Sequence, residues 1–377
     1  MTNNVPSISI PPDLLPKDGR FGSGPSKVRP EAIAALAARG NDFMGTSHRR
    51  PTVKDQVGAL RSGLSDLFGL PDDWEVVLGN GGTTVFWDAA TFGLIERQSQ
   101  HLAFGEFSSK FAKAVAATPF LDTPEVIESA VGSHPQAVGQ PGIDFYALTH
   151  NETSTGVLMS LERPDGTDPQ ALVGVDATSA AGATAWDPSE VDVYYFAPQK
   201  TFASDGGLWI ACCSQAAQER IERMSASDRW IPASIDLGIA LENSKKNQTY
   251  NTPALGTILL ATEMVTWIND NGGMSFSEGR SRESSGVVYE WAEKSSHATP
   301  FVADETMRSH VVTTIDFDGV DADTLSAVLR ANGVVDTESY RKLGRNQLRI
   351  AAFPAIDPDD VRALMACLDY LIERLAD

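Results

Sequence analysis

Lys200 stands in an unusual setting for a lysine. It lies in Tyr194-Tyr195-Phe196-Ala197-Pro198-Gln199-Lys200-Thr201-Phe202, and Ser204-Asp205-Gly206-Gly207 follows. Most lysines are solvated surface groups. Aromatic and apolar flanks instead suit a partly desolvated amine, and desolvation lowers its pKa and makes it a nucleophile for Schiff-base formation. Asp176, in Val173-Gly174-Val175-Asp176-Ala177-Thr178-Ser179, lies 24 residues earlier with one apolar run between. An aspartate at the carboxyl end of a parallel strand sits where α/β folds bind ligands. The alternative is a helix cap or a turn. Together the two residues meet the needs of pyridoxal phosphate chemistry: an amine for the aldehyde and a carboxylate that keeps the pyridine nitrogen protonated.

A third signal is Gly79-Asn80-Gly81-Gly82-Thr83-Thr84, after an apolar run and before a helical pattern. Glycines allow close backbone approach, and free amides at a helix N-terminus bind phosphate. The glycine spacing is not the dinucleotide fingerprint, and the lysine of a P-loop is missing. Phe107, Thr153, Asn251 and Thr252 each read alone as a core aromatic, a turn threonine and loop residues.

These side chains need elements to hold them. Apolar runs at Glu75–Leu78, Leu102–Phe104, Phe145–Thr149, Leu172–Val175, Val193–Phe196 and Leu208–Cys212 are short and continuous, as in strands buried on both faces. They alternate with helical stretches, which predicts an α/β layer fold. Helical periodicity starts near Pro30 and again over Val53–Phe68, and resumes over Leu255–Asn271 and Ser284–Ser295. The tail reads β-α-β-α, with strands near Val311–Phe317 and Leu348–Phe353. Its first helix, Ala322–Ala331, stops at Gly333, and its last opens at Asp357-Pro358. We expect an N-terminal arm over 1–27, a large domain over 28–260 and a smaller C-terminal α/β domain over 261–377.

The chain has 377 residues, a formal charge of −20, and 42% hydrophobic and 21% charged residues. This is an ordinary globular composition with room for about two domains. The acidity argues against non-specific nucleic-acid or anionic-membrane binding. The start MTNNVPSISIPPDLLP has neither a basic opening nor an apolar core, so no signal peptide is expected, and no apolar run is long enough for a membrane span. Cys212, Cys213 and Cys367 form neither a disulfide framework nor a metal pattern. The expectation is a cytoplasmic enzyme without a metal.

Taken together, these residues resemble the phosphoserine aminotransferases, class V pyridoxal phosphate enzymes, in their mycobacterial and actinobacterial form. The matching stretches are Phe21–Arg29, Gly45–Arg49, Leu78–Asp88, Gly105–Phe111, His150–Gly156, Tyr194–Trp209, Glu242–Pro253 and Val335–Phe353. The resemblance implies a fold-type I transferase: a large domain with a mostly parallel mixed sheet between helices, plus a smaller C-terminal α/β domain. It implies a homodimer with shared active sites. It also implies transfer of an amino group from L-glutamate to 3-phosphohydroxypyruvate, and in some members a related step of pyridoxine synthesis on 4-phosphohydroxy-L-threonine.

Residue by residue, the resemblance makes Lys200 the Schiff-base lysine and Asp176 the partner of the ring nitrogen. Phe107 stacks on the ring, and Thr153 bonds its oxygen side. Gly82, Thr83 and Gln199 contact the cofactor phosphate, joined by Asn251 and Thr252 of the second subunit. Many members carry Arg at the position of Thr83, so one charge is missing here. For substrate, an acidic protein must place cations locally. Arg349, flanked by apolar residues, is the candidate for the α-carboxylate, with a buried ion pair as the alternative. His48 and Arg49 match a substrate-contacting pair. Arg341, Lys342 and Arg345 form a second basic cluster that could read the phosphate across the subunit interface. A cysteine desulfurase or serine–glyoxylate aminotransferase would share the cofactor residues. A non-enzymatic acidic interaction protein would instead leave Lys200 on the surface.

Overall fold

The computed structural model describes residues 6–376, so positions 1–5 of the expected arm lie outside the described residues. The strands are β1 Glu75–Asn80, β2 Ser99–Ala103, β3 Glu125–Glu128, β4 Phe145–Thr149, β5 Asn151–Glu152, β6 Val157–Leu158, β7 Leu172–Asp176, β8 Val193–Phe196, β9 Leu208–Cys213, β10 Ala298–Pro300, β11 Val312–Phe317 and β12 Gln347–Ala351. Seven form one sheet in the order β1-β9-β8-β7-β4-β2-β3. β3, β2, β4, β7 and β8 run parallel, and β9 is antiparallel to both β8 and β1. The fold is therefore α/β with a mostly parallel mixed sheet, as expected.

Every residue of β2, β4, β7, β8 and β9 is buried. This explains their continuous apolar sequence, because each face packs against helices. Tyr194 and Phe196 of β8 face the layer that includes helices Pro51–Phe68 and Leu255–Asp270. Val193 and Tyr195 face the opposite layer, with helices Thr83–Gly93, Glu106–Ala116, Gln215–Ser225 and Leu237–Ser244. The alternation follows from the two-residue period of a strand. Each fully buried Val, Leu or Phe contributes roughly 1.5–3 kcal/mol, so a charge on β7 or β8 would break the sheet that carries the site.

A second core gathers the sheet β10-β11-β12 and helices Gly273–Lys294, Ala322–Ala331 and Pro358–Leu375. The arm joins this core: Ile10 and Phe21 are buried in it, Phe21 N–H donates to Val335 O at 3.2 Å, and Ala351 N–H donates to Phe21 O at 3.1 Å. Residue 260 falls inside the helix Leu255–Asp270.

Some elements were not legible from apolar pattern. β2 begins at Ser99, three residues before its apolar run, because buried polar groups pair with one another. Ser99 Oγ meets His101 Nε2 at 2.9 Å, and the Gln100 amide exchanges two 2.9 Å bonds with the Val138 backbone. The edge strand β3 has only alternate residues partly buried. The helix Gly273–Lys294 starts well before the expected Ser284, and Ser277, Ser281, Ser284 and Ser285 are buried in it. Small serines allow close helix packing but leave no apolar stripe. No helix of the described residues is long and apolar enough to cross a membrane.

Candidate active site

The strands β1, β4, β7 and β8 all point their carboxyl ends to one edge of the sheet. There a cavity of about 430 Å³ opens, lined among others by Gly82, Thr83, Phe107, Thr153, Asp176, Gln199 and Lys200. Ligand sites are expected at this edge, and the volume suits a small cofactor. These seven residues span more than a hundred positions of sequence and meet only through the sheet.

Lys200 follows β8 on the loop that reverses the chain into β9. Its Nζ donates to Ser23 O at 2.6 Å, so the arm reaches the site. Burial pulls the amine down to about 8; Arg349 works in the same direction, and Asp176 and Glu152 oppose it. A Cβ at Gly24 would overlap the Lys200 side chain, which only glycine avoids.

Asp176 ends β7 and is 7% exposed. Thr178 donates to its Oδ1 from N–H at 3.0 Å and from Oγ1 at 2.6 Å. Trp87 Nε1–H donates to Oδ2 at 3.1 Å. Burial raises the carboxyl pKa against these donors. No cation forms an ion pair with Asp176 among the described residues. A buried carboxylate without a countercharge is costly, and a protonated pyridine nitrogen would supply one.

At the other end, Gly82 precedes the helix Thr83–Gly93 and offers no side-chain cap. Its first amides thus remain free beside the cavity, and nothing lies within 4 Å of a Cβ placed on Gly82. That cradle fits a phosphate. Thr83 Oγ1 meets Thr178 Oγ1 at 2.8 Å, tying this turn to Asp176. Gln199 Oε1 and Asn151 Oδ1 are buried without partners. Thr153 Oγ1 donates to Ser179 Oγ at 2.8 Å. Phe107 is held by its backbone, because Glu152 Oε2 accepts from Phe107 N–H at 3.1 Å and from Ser108 N–H at 3.0 Å. The amine, the carboxylate, the uncapped amides and the two unpartnered amide oxygens together fit pyridoxal phosphate.

The cations expected for substrate divide into groups. Arg349 on β12 donates from NH1 to Thr153 O at 3.2 Å, its Nε is buried without a partner, and it lies 5.5 Å from the Tyr340 ring centroid. Burial lowers its pKa. Lys342 pairs with Glu106, and Arg345 pairs with Asp316 at 2.5 Å. Arg341, in the turn Arg341–Leu343, forms no ion pair among the described residues. Arg341, Lys342, Arg345 and Arg349 lie outside this cavity's lining, and so do His48, Arg49, Asn251 and Thr252. The latter four cluster together: His48 Nδ1 meets Thr252 Oγ1 at 3.2 Å, and Arg49 donates to Gln248 Oε1 at 2.5 Å. Burial and the adjacent Arg49 charge hold the His48 pKa down.

Sequence reasoning passed over Trp87, Asn151, Thr178, Ser179 and the Ser23–Gly24 turn. Trp87 had a signal, since it lies four residues after Thr83 on the same helix face. The arm matched the family over Phe21–Arg29, but nothing local gave it a partner, because its contact with Lys200 spans 177 positions.

Residues 130–337 match the family model described as Aminotransferase class-V. The chain is 59% identical over 371 residues to a phosphoserine aminotransferase of a Nocardioides species, covering 98% of this chain and 99% of that one. Among solved structures, it superposes on a phosphoserine aminotransferase from Cytophaga hutchinsonii with a TM-score of 0.87 at 22% identity, covering 94% of this chain and 99% of that one. A phosphoserine aminotransferase from Bacillus circulans subsp. alkalophilus gives 0.83 at 18% identity, covering 95% and 99%. At that identity the solved structures show a shared fold, while the full-length sequence match shows the family. The chain belongs to the class V aminotransferases, pyridoxal phosphate-dependent transaminases, and within them to the phosphoserine aminotransferase family.

Proposed function

We propose that this chain transfers the amino group of L-glutamate to 3-phosphohydroxypyruvate, giving O-phospho-L-serine and 2-oxoglutarate. The observation that carries this reading is the 59% identity over almost the whole of both chains to a protein of that name. Pyridoxal phosphate, when bound, supplies an aldehyde for amines and a ring that takes up the electrons left when a proton leaves the substrate α-carbon. In this reading Lys200 holds the cofactor and, as a neutral amine, moves the α-proton; an amine pulled to about 8 is neutral in a far larger fraction near physiological pH than a solvated lysine. Asp176 keeps the ring nitrogen protonated. Gly82, Thr83 and Gln199 hold the cofactor phosphate, Phe107 covers the ring, and Thr153 bonds its oxygen side. Arg349 takes the α-carboxylate common to both substrates, with its unpartnered Nε as support.

The phosphate of the acceptor needs a further cation, and Arg341 is the member of its cluster without an ion pair among the described residues. His48, Arg49, Asn251 and Thr252 serve the site of a second copy in a homodimer. Support comes from their clustering outside their own chain's cavity, next to Met44 and Tyr250, which are 44% and 45% exposed. A desulfurase reading is disfavoured: burial raises the thiol pKa of Cys213 to about 12 and of Cys367 to about 11, and pushes that of Cys212 up as well.

The test is 2-oxoglutarate release from glutamate with a panel of acceptors: 3-phosphohydroxypyruvate, hydroxypyruvate, glyoxylate and the phosphorylated keto acid that leads to 4-phosphohydroxy-L-threonine. The reading expects the first to exceed hydroxypyruvate and glyoxylate in kcat/KM by about a hundredfold or more, the worth of a charge-assisted phosphate contact. Equal use of glyoxylate would sink it.

A further inference from the structure

Trp87 has no part in the roles assigned above, yet its placement is specific. It is 4% exposed, lines the cavity, and donates its indole N–H to Asp176 Oδ2 at 3.1 Å. Its ring is stacked on Phe111, with centroids 6.1 Å apart and planes 13° off parallel. Bulk alone does not explain the hydrogen bond. Trp209, buried in the same layer, leaves its own Nε1 without a partner. Asp176 is gripped from two directions. Thr178, two residues on, takes Oδ1, and Trp87, from a helix 89 positions away, takes Oδ2. With one oxygen held, a carboxylate still rotates about its last torsion, which is broad and roughly two-fold. A second donor fixes the plane. Charge-assisted hydrogen bonds to an ion out of water are also about twice as strong as neutral ones.

We propose that Trp87 is a positioning residue for the cofactor: its indole N–H fixes the plane of the Asp176 carboxylate so that it meets the pyridine nitrogen of pyridoxal phosphate. This rests on the reading of Asp176 as that nitrogen's partner. Trp87 itself does not exchange a proton. Its effect passes through Asp176 and vanishes without it.

A double-mutant cycle on the dissociation constant of pyridoxal 5'-phosphate, measured by equilibrium dialysis, tests this. The four proteins are wild type, Trp87→Phe, Asp176→Ala and the double variant. Trp87→Phe keeps a ring against Phe111 and removes the donor. It should weaken binding about tenfold in the native background, as for a lost hydrogen bond to a charged group, and less than about twofold beside Asp176→Ala. Trp87→His, which keeps a ring N–H, should recover part of the loss and serves if Trp87→Phe does not fold. The same factor in both backgrounds, no weakening by Trp87→Phe, or a Trp87→His loss as large as that of Trp87→Phe overturns the role. If instead wild type does not bind the cofactor, or Asp176→Ala leaves binding unchanged, the underlying reading of the site fails.

Discussion

The reactivity proposed for Lys200 would come from its surroundings. A solvated lysine would be protonated at neutral pH, whereas burial and the Arg349 charge bring this one to about 8. In the proposed role the neutral amine is the nucleophile, and its fraction grows as pH rises through that value. Uptake of pyridoxal 5'-phosphate by protein stripped of cofactor should accelerate with pH about a midpoint near 8, followed by stopped-flow absorbance. Arg349→Leu removes a repelling charge, so the midpoint should move upward, while Arg349→Lys should leave it nearly in place. A rate flat across this range would show that the amine is not the titrating group. The buried His101, held down to about 3 by burial, is a contrasting case: a shifted residue whose partner, Ser99, makes it structural.

Among the elements, the arm and the helix Glu106–Ala116 matter most to the site. Glu152 accepts two backbone N–H groups at the start of that helix, which anchors Phe107 over the cavity. The arm is tied at several points along its length. Lys17 N–H donates to Asp360 Oδ1 at 2.8 Å, Phe21 is bonded to Val335 and Ala351, and Ser26 N–H donates to Gln199 O at 2.9 Å. Between the last two points lies Gly24, whose φ of +141° disfavours any side chain and whose missing Cβ leaves room for Lys200. Gly24→Ala would meet both backbone strain and the lysine. Strain of this kind costs on the order of 1–3 kcal/mol, which converts to roughly tenfold in cofactor affinity if it acts on the docked arm. Equilibrium dialysis should show that loss, with a melting temperature lowered by only a few degrees. Unchanged affinity would mean that the arm does not act on Lys200.

At the scale of the molecule, the proposed second subunit is the largest expected contribution. The charge of −20 leaves few cations to spare, and His48 and Arg49 cluster with Thr252 and Gln248 rather than along the lining of their own chain's cavity. If they complete a partner's site, two inactive variants should rescue each other. Lys200→Ala and Arg49→Leu, each inactive alone, should regain about a quarter of wild-type activity when unfolded and refolded together in equal amounts. Half of the dimers are then mixed, and each holds one intact site. Activity that stays at the sum of the separate variants would place Arg49 outside catalysis or within its own chain's site.

Read from sequence alone, the α/β class and the strands that carry the cavity were legible, and so was the placement of Lys200 and Asp176 beside one another at the ends of such strands. Strands buried on both faces must be apolar throughout, and Asp176 ends one such strand while Lys200 lies in the loop just after another, so their setting is local and readable. Gly82 and Thr83 were legible for the same reason, as a glycine turn between strand and helix. Tertiary structure alone decided the rest. It separated Arg341 from Lys342 and Arg345, whose carboxylate partners, Glu106 and Asp316, lie 236 and 29 positions away. It brought the carbonyl of Ser23 to Lys200 and the indole of Trp87 to Asp176, contacts that no periodicity encodes. It also buried the serines of Gly273–Lys294 and the polar start of β2, where packing and paired hydrogen bonds override hydropathy. Local pattern reports which face of an element is apolar; which polar groups meet depends on how whole elements stack.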